Sequence, residues 1–418
     1  MTKKYSLMDL IDDEIVNRWY KIGESYTCKL VYSIIKYVKN RYGLEIKSIL
    51  DPFVGAGTTL VTASFLTIDN YNIEINPFYC LVSEAKSLVW KYDVKDLFIT
   101  LSSLLNKIQK LSNEVSLIFR GKTMRDFMES YYDKHYANRV YPLIYKWIDR
   151  EIFDYLVAIK TFVEREVENC ELRKIVYVAM APILHEVARV TLKPGRFGTF
   201  KKNKNNITLS KILAMFIERT KWILNDLRLV EEIIPYRSWF TIKVINDDSR
   251  YYKLGTTVDL AITSPPYPND LEYVHQSRLE LAFFDLIHSE RDLTALRKRV
   301  VSSSVKYSFY KERINKKYVA DIDEIKDKPC DYIVINNTRV CDVEYDIYLR
   351  NKTIELLNNI TEGKIIEVRV FAWLSKSVLN ENTSMISIKE VASPFPLLNV
   401  GNEYIMFIKV NPDSIELL

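Results

Sequence analysis

The most constraining feature of this sequence is a short apolar segment that runs into a turn with two glycines and then into a helical pattern. The segment is KSILDPFVGAGTTLVTASFL, residues 47–66, and its Gly55 and Gly57 are two of only 10 glycines in 418 residues. An apolar segment bounded by such a turn is typical of a buried strand. A strand, a tight turn and a helix in this order predict the start of a βαβ unit, and therefore an α/β fold.

Strand-like patterns recur along the chain, and helical segments separate most of them. They occur in YNIEINPFY (71–79), FTIKVIND (240–247), VDLAITS (258–264), CDYIVINN (330–337), KIIEVRVFAWL (364–374) and EYIMFIKV (403–410). Residues 26–46, before the first strand, have apolar residues at helical spacing. This alternation predicts a doubly wound, mostly parallel sheet with helices on its faces.

The pattern changes between about Ser87 and Arg237. Long amphipathic stretches such as LFITLSSLLNKIQKL (97–111) and RKIVYVAMAPILHEVARV (173–190) favour helices, and strand signals are few. We therefore expect an α/β domain made of residues 1–90 and 238–418, interrupted by a mostly helical insertion at residues 91–237.

Composition narrows the functional class only slightly. Hydrophobic residues make up 48% and charged residues 27%, which is ordinary for a globular protein, and the net charge of +5 is compatible with a polyanionic partner. The five cysteines are scattered without a CxxC pair, so reduced thiols and no metal site are expected. The charged N-terminus and the absence of an apolar run of ~18 residues predict a cytoplasmic protein without a signal peptide or membrane contact.

Three polar features follow predicted strands. The small residues of DPFVGAGTT (51–59) allow a ligand to approach the backbone closely, and the following helix offers free N–H groups at its N-terminus. This string matches neither GxGxxG nor GxxxxGK[ST]. Glu74 ends the next strand, where an acid can accept both hydroxyls of a ribose. One carboxylate of Asp247-Asp248 can likewise bond an adenine amino group or a ribose, and the other is interpreted as a turn residue.

A later strand, VDLAITS, ends in Ser264-Pro265-Pro266-Tyr267. Two consecutive prolines stop sheet pairing and hold the chain extended, so carbonyl groups and an aromatic ring are presented rigidly at the strand end. This arrangement is suited to clamping a flat polar ligand. A strand-ending proline turn with a core tyrosine is the structural alternative.

Together these motifs resemble the amino-group DNA methyltransferases that use S-adenosyl-L-methionine. SPPY rather than DPPY, followed by EYVHQSRLELAFFD (272–285), is similar to the cytosine-N4 branch, and YIVINNTRV with EVRVFAWL matches the back half of that catalytic domain. The resemblance covers roughly residues 20–90 and 240–418. It implies a Rossmann-like sheet of seven strands. The long insertion precedes NDDSR, whereas the usual arrangement with the cofactor motif first places its target-recognition region after that motif.

The resemblance also implies roles for individual residues. The cofactor would be bound through the N-terminal helix motif, the glycine turn and two strand-end acids, and the target base would be held by the SPPY motif. The implied cofactor residues are Tyr26, Lys29, Asp51, Phe53, Gly55, Gly57, Thr58, Thr59, Glu74 and Asp248, and the implied catalytic residues are Ser264, Pro265, Pro266 and Tyr267.

The implied reaction transfers a methyl group to the N4 amino group of a cytosine flipped out of double-stranded DNA, in a restriction-modification system with a cognate endonuclease. Flipping requires a few kcal/mol, and stacking on Tyr267 could return about 1–3 kcal/mol. Adenine-N6 methylation is the main alternative. An RNA guanine-N2 methyltransferase and a non-catalytic DNA-binding module are further ones. Cytosine-C5 chemistry is disfavoured because Pro329-Cys330 begins a strand instead of ending one.

A basic stretch between Arg189 and Lys211 is the candidate DNA contact within the insertion. It contains seven Lys or Arg residues and no acid, a composition that suits phosphate contact as well as a solvated loop. The candidate DNA-binding residues are Arg189, Lys193, Arg196, Lys201, Lys202 and Lys204. A second basic stretch lies between Arg291 and Lys317.

Overall fold

The computed structural model describes most of the first three hundred residues and a short C-terminal segment. The described ranges are 5–23, 25–117, 122–191, 199–200, 207–234, 239–264, 273–300, 408–411 and 414–417.

Helices dominate the described part of the chain. They are α1 (Leu7–Asp12), α2 (Cys28–Tyr42), α3 (Thr58–Phe65), α4 (Pro77–Lys91), α5 (Val94–Leu117), α6 (Lys122–Tyr131), α7 (Lys134–Ile144), α8 (Arg150–Glu166), α9 (Cys170–Val187), α10 (Leu209–Ile233), α11 (Tyr273–Gln276), α12 (Arg278–Phe283) and α13 (Glu290–Arg299), with a 3-10 helix at Asn17–Trp19. The strands are β1 (Ser48–Asp51), β2 (Asp69–Ile73), β3 (Val190–Thr191), β4 (Thr199–Phe200), β5 (Ile242–Ile245), β6 (Leu260–Ala261), β7 (Ile408–Asn411) and β8 (Ser414–Leu417).

Four strands form one parallel sheet in the order β5-β2-β1-β6. Taken in chain order, this is third, second, first, fourth, so the direction of winding reverses between β1 and β6. In open α/β sheets a ligand crevice lies at such a switch point, outside the carboxyl ends of the strands. The α/β prediction is confirmed by this sheet.

The prediction of seven strands is met only in part by the described residues. CDYIVINN and KIIEVRVFAWL lie outside them. The end of EYIMFIKV is described as β7, which pairs antiparallel with β8.

Local sequence explains the elements that border the sheet. The Thr27 hydroxyl caps α2 by accepting from the Leu30 N–H, and Gly43 ends that helix in the left-handed region with φ of 65°. Asn76 caps α4 and Pro77 occupies its first turn, where no N–H is needed. These signals determine where α2 and α4 begin. Both helices start near the carboxyl edge of the sheet, because α4 follows the end of β2 and Tyr26, just before α2, bonds Asp51 at the end of β1.

The buried apolar side chains form two clusters. The smaller cluster joins one face of α2, including Val31 and Val38, to Ile49 of β1 and Ile262 after β6. The larger cluster runs from α3 and α4 without interruption into the helices between residues 94 and 233. Within that range, α9 packs against α4 and α10 packs against α5. The six helices of this range therefore share a core with the α/β part. The domain boundaries proposed from the sequence remain a prediction.

Candidate cofactor and active site

The polar motifs found in the sequence follow neighbouring parallel strands. Asp51 ends β1, Glu74 follows β2, Asp248 follows β5 and Ser264 follows β6. Because parallel strands end at the same edge, all four residues lie at the carboxyl edge of the sheet. Main-chain and side-chain bonds hold that edge together, since the Glu74 N–H donates to the Ile245 carbonyl at 2.9 Å and Asn246 Nδ2 donates to the Glu74 carbonyl at 2.8 Å.

The turn after β1 requires its two glycines. Gly55 and Gly57 have φ angles of 54° and 89°, in the left-handed region that side chains disfavour. Space is also short, because a Cβ on Gly55 would lie 3.1 Å from Ile22 Cδ1 and a Cβ on Gly57 would lie 3.0 Å from Ser83 Oγ. The turn, called the glycine loop below (residues 52–57), leads directly into the N-terminus of α3. The first N–H groups of that helix have no acceptor within the helix, and a helix N-terminus of this kind suits an anionic group.

Asp51 gathers residues that are distant in the sequence. Its fully buried carboxylate accepts from the Tyr26 hydroxyl at 3.0 Å and from the Phe53 N–H at 3.0 Å. The Tyr26 hydroxyl also bonds the Thr59 hydroxyl. Burial raises the pKa of Asp51, although hydrogen bonds from Thr59 and Phe53 oppose that shift. Four of the predicted cofactor residues therefore meet at the start of α3.

Glu74 braces the glycine loop. Its carboxylate accepts from the Gly55 N–H at 2.9 Å and from the Asn76 N–H at 2.8 Å. Burial raises the pKa of Glu74 to about 7, against the opposing effect of these two N–H donors, and the nearby Asp51 carboxylate raises it further. An ionised carboxylate has about four acceptor positions, so positions remain for further donors such as hydroxyl groups.

Asp248 is the buried member of the acidic pair after β5. Burial raises its pKa, but hydrogen bonds and charge from Arg250 are stronger and hold the pKa below its usual value. Arg250 donates to it from its backbone N–H at 3.1 Å, from Nε at 2.9 Å and from Nη2 at 2.6 Å. About one acceptor position is left for a ligand amino group. Asp247 is more exposed and accepts from the Asp248 N–H, as a turn residue does.

The remaining predicted cofactor residues have different surroundings. Thr58 is buried at the first position of α3, with its hydroxyl 3.5 Å from Asn17 Oδ1. Phe53 is partly buried in the glycine loop. Lys29 is exposed on α2, and its ammonium lies 3.3 Å from Asp12 Oδ1. No contact to the other site residues is recorded for Lys29 among the described residues.

Part of the predicted active site and of the DNA contact falls outside the described residues. Ser264 is described and partly buried, whereas Pro265, Pro266 and Tyr267 are not described. The same holds for the basic residues Lys193, Arg196, Lys201, Lys202 and Lys204.

Arg189 is described, and its guanidinium has protein partners. It donates to the carbonyls of Lys146 and Tyr145 and pairs with Asp149 at 2.6 Å, which anchors the base of the β3–β4 hairpin to the segment between α7 and α8.

Two buried charged residues next to the segment before α2 were not predicted from the sequence. Lys86 of α4 and Asp226 of α10 are both fully buried and both bond to the segment before α2. The one sequence signal was that Lys86 interrupts a helix whose other positions are almost all apolar or small. Nothing local indicates the partners of Asp226.

The described residues contain neither a cluster suited to a metal ion nor a membrane-spanning helix. In these residues no cluster of three or more His, Cys, Asp or Glu side chains is placed to hold a metal ion. None of the helices described is both long and apolar enough to cross a membrane.

The chain is similar to several proteins named as type II methyltransferases. No family model and no solved structure matches it. It is 23% identical to the type II methyltransferase M.BsoBI of Geobacillus stearothermophilus over 83% of this chain and 67% of that protein. It is 24% identical to M.MjaII of Methanocaldococcus jannaschii over 62% of this chain and 61% of that protein. It is 26% identical to M.AvaI of Anabaena variabilis over 69% of this chain and 57% of that protein. The matched regions thus span about two thirds or less of these curated relatives.

Proposed function

We propose that this protein is a site-specific DNA methyltransferase of a restriction-modification system. Its reaction is the transfer of a methyl group from S-adenosyl-L-methionine to the N4 amino group of a cytosine in double-stranded DNA. The observation that carries the proposal is the position of the glycine loop, Glu74, Asp248 and Ser264 at one edge of the sheet, around the switch point between β1 and β6. Similarity to type II methyltransferases supports the reaction class.

The residues at this edge fit an adenosyl amino acid. Gly55 and Gly57 have little room for a Cβ, so the glycine loop keeps the tight turn that brings the N-terminus of α3 to the sheet edge. Glu74 has acceptor positions left for two ribose hydroxyls, and Asp248 has about one left for the adenine amino group. Thr58 and Thr59, at the N-terminus of α3, are assigned to the carboxylate of the amino acid. When bound, S-adenosyl-L-methionine supplies an electrophilic methyl group on a positively charged sulfur.

The residues after β6 are assigned to the target base. An exocyclic amine is a poor nucleophile because its lone pair is delocalised into the ring. Hydrogen bonds from its N–H groups to the Ser264 hydroxyl and the Pro265 carbonyl would favour tetrahedral geometry at nitrogen, and Tyr267 would stack on the flipped base. Catalysis then rests on positioning and electrostatics. The roles of Pro265 and Tyr267 are inferred from the SPPY motif.

A second candidate reaction is methylation of adenine at N6. The SPPY sequence favours cytosine, but both bases present an exocyclic amine to the same kind of clamp. The decisive experiment incubates the purified protein with DNA and isotopically labelled S-adenosyl-L-methionine and identifies the labelled nucleoside by mass spectrometry. N4-methylcytosine is expected. N6-methyladenine would overturn the choice of base, and no transfer to any DNA of mixed sequence would overturn the function.

A further inference from the structure

Residues 14–22, called the strap below, lie between the helical insertion and the glycine loop. The strap includes the 3-10 helix and two residues with positive φ, Glu14 at 51° and Val16 at 66°. A β-branched residue such as Val16 rarely adopts this conformation, which persists only where the surroundings enforce it. The strap is therefore held in a shape that its own sequence does not favour.

Asp226 of α10 enforces that shape from the insertion side. Its buried carboxylate accepts from the Val16 N–H at 3.0 Å, from Trp19 Nε1 at 3.0 Å and from the guanidinium of Arg18. The hydrogen bonds recorded for this carboxylate in the described part of the chain all come from the strap. Asp226 lies 207 to 210 positions beyond these partners in the sequence, so it acts as a long-range anchor.

Lys86 of α4 connects the strap to the glycine loop. Its fully buried ammonium donates to Asn17 Oδ1 at 3.1 Å and to the Tyr20 carbonyl at 2.8 Å in the strap, and to the Ala56 carbonyl in the loop. In the part of the chain that the structure describes, no carboxylate pairs with it. Its three protons thus meet three neutral oxygens, two in the strap and one in the glycine loop. Displacement of the strap or of the loop would leave the buried ammonium without some of its acceptors.

Packing and a second polar contact support the same connection. Ile22 packs closely against Gly55, since a Cβ there would lie 3.1 Å from Ile22 Cδ1. The Asn17 amide nitrogen is buried and has no partner among the described residues, although its oxygen faces Lys86 and Thr58. The strap therefore meets the loop at Ala56 and Gly55 and the first residue of α3.

We propose that Asp226 is a positioning residue for the cofactor loop and acts through the strap and Lys86. This inference rests on the proposed function, because it assumes that the glycine loop binds S-adenosyl-L-methionine. The Asp226 carboxylate bonds the strap and not the loop, yet it sets the affinity of the loop for its ligand. The insertion and the cofactor site are coupled by this route.

The test uses the full-length protein and calorimetric titration with S-adenosyl-L-methionine. Asp226→Asn keeps the size of the side chain but removes the charge that binds Arg18 and one of its two acceptor oxygens. We expect the Kd for S-adenosyl-L-methionine to rise by about fivefold or more, the lower end of ordinary coupling between sites. The KM for DNA should stay within about twofold. General loss of structure would weaken both ligands, so a raised Kd for the cofactor with an unchanged KM for DNA points to the cofactor loop.

Two further variants sharpen the result. Lys86→Met should also raise the Kd, and the double variant should be no weaker than the worse single variant, because both changes release the same strap. Lys160→Met is the matched control. Lys160 is a nearly buried lysine of α8 that pairs with Glu164 and does not touch the strap. Lys160→Met should lower thermal stability and leave the Kd for S-adenosyl-L-methionine unchanged.

A measurement on the unmodified protein covers the case in which the variants do not fold. Hydrogen exchange should show added protection of the strap amides, including the Val16 N–H, when S-adenosyl-L-methionine is bound. An unchanged Kd in Asp226→Asn, or strap amides indifferent to the cofactor, would overturn the inference. Absence of any cofactor binding by the unmodified protein would instead overturn the proposed function.

Discussion

Replacement of Glu74 by Gln tests the proposed cofactor site most directly. The two side chains have nearly the same shape, but the amide has one acceptor oxygen where the carboxylate has two. In the folded protein those two oxygens accept from the Gly55 and Asn76 N–H groups at 2.9 and 2.8 Å. Glu74→Gln therefore leaves one of these N–H groups without its acceptor.

The expected magnitudes follow from these contacts. A buried donor without a partner costs about 1–3 kcal/mol, and removal of a buried charge offsets part of that loss. A modest decrease in the free energy of unfolding is expected. For the cofactor, the carboxylate is the assigned acceptor of the ribose hydroxyls, and a hydrogen bond to a charged group contributes about 1.5–3 kcal/mol. The Kd for S-adenosyl-L-methionine should rise roughly 10- to 150-fold.

The pH dependence supplies an independent signature. Burial raises the pKa of Glu74 to about 7, above its ordinary 4.5. Between these values the folded state holds a proton that the unfolded state has lost, so this group's contribution to stability falls as pH rises from 4.5 to 7. The ionised form is the better acceptor, so cofactor affinity should rise with pH and level off above about 7. Both trends should be absent in Glu74→Gln. Burial also lowers the pKa of Lys86 to about 7, but Lys86 titrates in the variant and in the unmodified protein alike, so the difference between the two proteins reports Glu74.

Calorimetric titration between pH 5.5 and 8.5 (about one and a half units on either side of the pKa) and urea unfolding over the same range provide both readouts. Equal Kd values and equal pH profiles for the two proteins would refute the assignment of Glu74 to the cofactor. Loss of stability with an unchanged Kd would reduce Glu74 to a brace of the glycine loop.

Three other predictions concern the loop, the basic stretch and the base clamp. Gly57→Ala should lower the free energy of unfolding by about 1–3 kcal/mol in urea titrations, because φ is 89° and the new methyl group would meet Ser83, whereas Gly23→Ala, with open space around it, should be nearly neutral. Replacing Lys201, Lys202 and Lys204 by Ala should weaken DNA binding for all sequences and reduce the slope of log Kd against log salt by about one per lost phosphate contact; an unchanged slope would mark a solvated loop. Tyr267→Ala should lose stacking worth about 1–3 kcal/mol in DNA binding while Tyr267→Phe keeps most activity, and Ser264→Ala should lower turnover more than DNA affinity. Full activity of both alanine variants in methyl-transfer assays would refute the clamp.

The α/β class and the positions of the polar motifs were determined by the sequence alone. Apolar runs that end in DPFVGAGTT, NIEINP and TSPPY are local signals, and alternation of strands with helices restricts the sheet to a parallel one. Once the sheet is parallel, geometry brings Asp51, Glu74 and Ser264 to the same edge. The helical character of residues 94–233 was also visible in the hydrophobic periodicity.

Only the tertiary structure decided which side chains meet at that edge. Tyr26 bonds Asp51 and Thr59 across the start of α3, and Arg250 occupies most of the Asp248 carboxylate. Local propensity carries no information about such pairs, because each partner is satisfied by any group that the fold brings within hydrogen-bond distance.

The two buried charges behind the glycine loop show the same limit most clearly. In the sequence, Lys86 looks like an interruption of an apolar helix and Asp226 like an ordinary exposed residue of an amphipathic one. Their partners lie in a strap with a backbone conformation that its own residues disfavour. A buried charge is stable only where the whole fold supplies its hydrogen bonds. Such a position is therefore a property of the packed molecule, and no short segment of the chain encodes it.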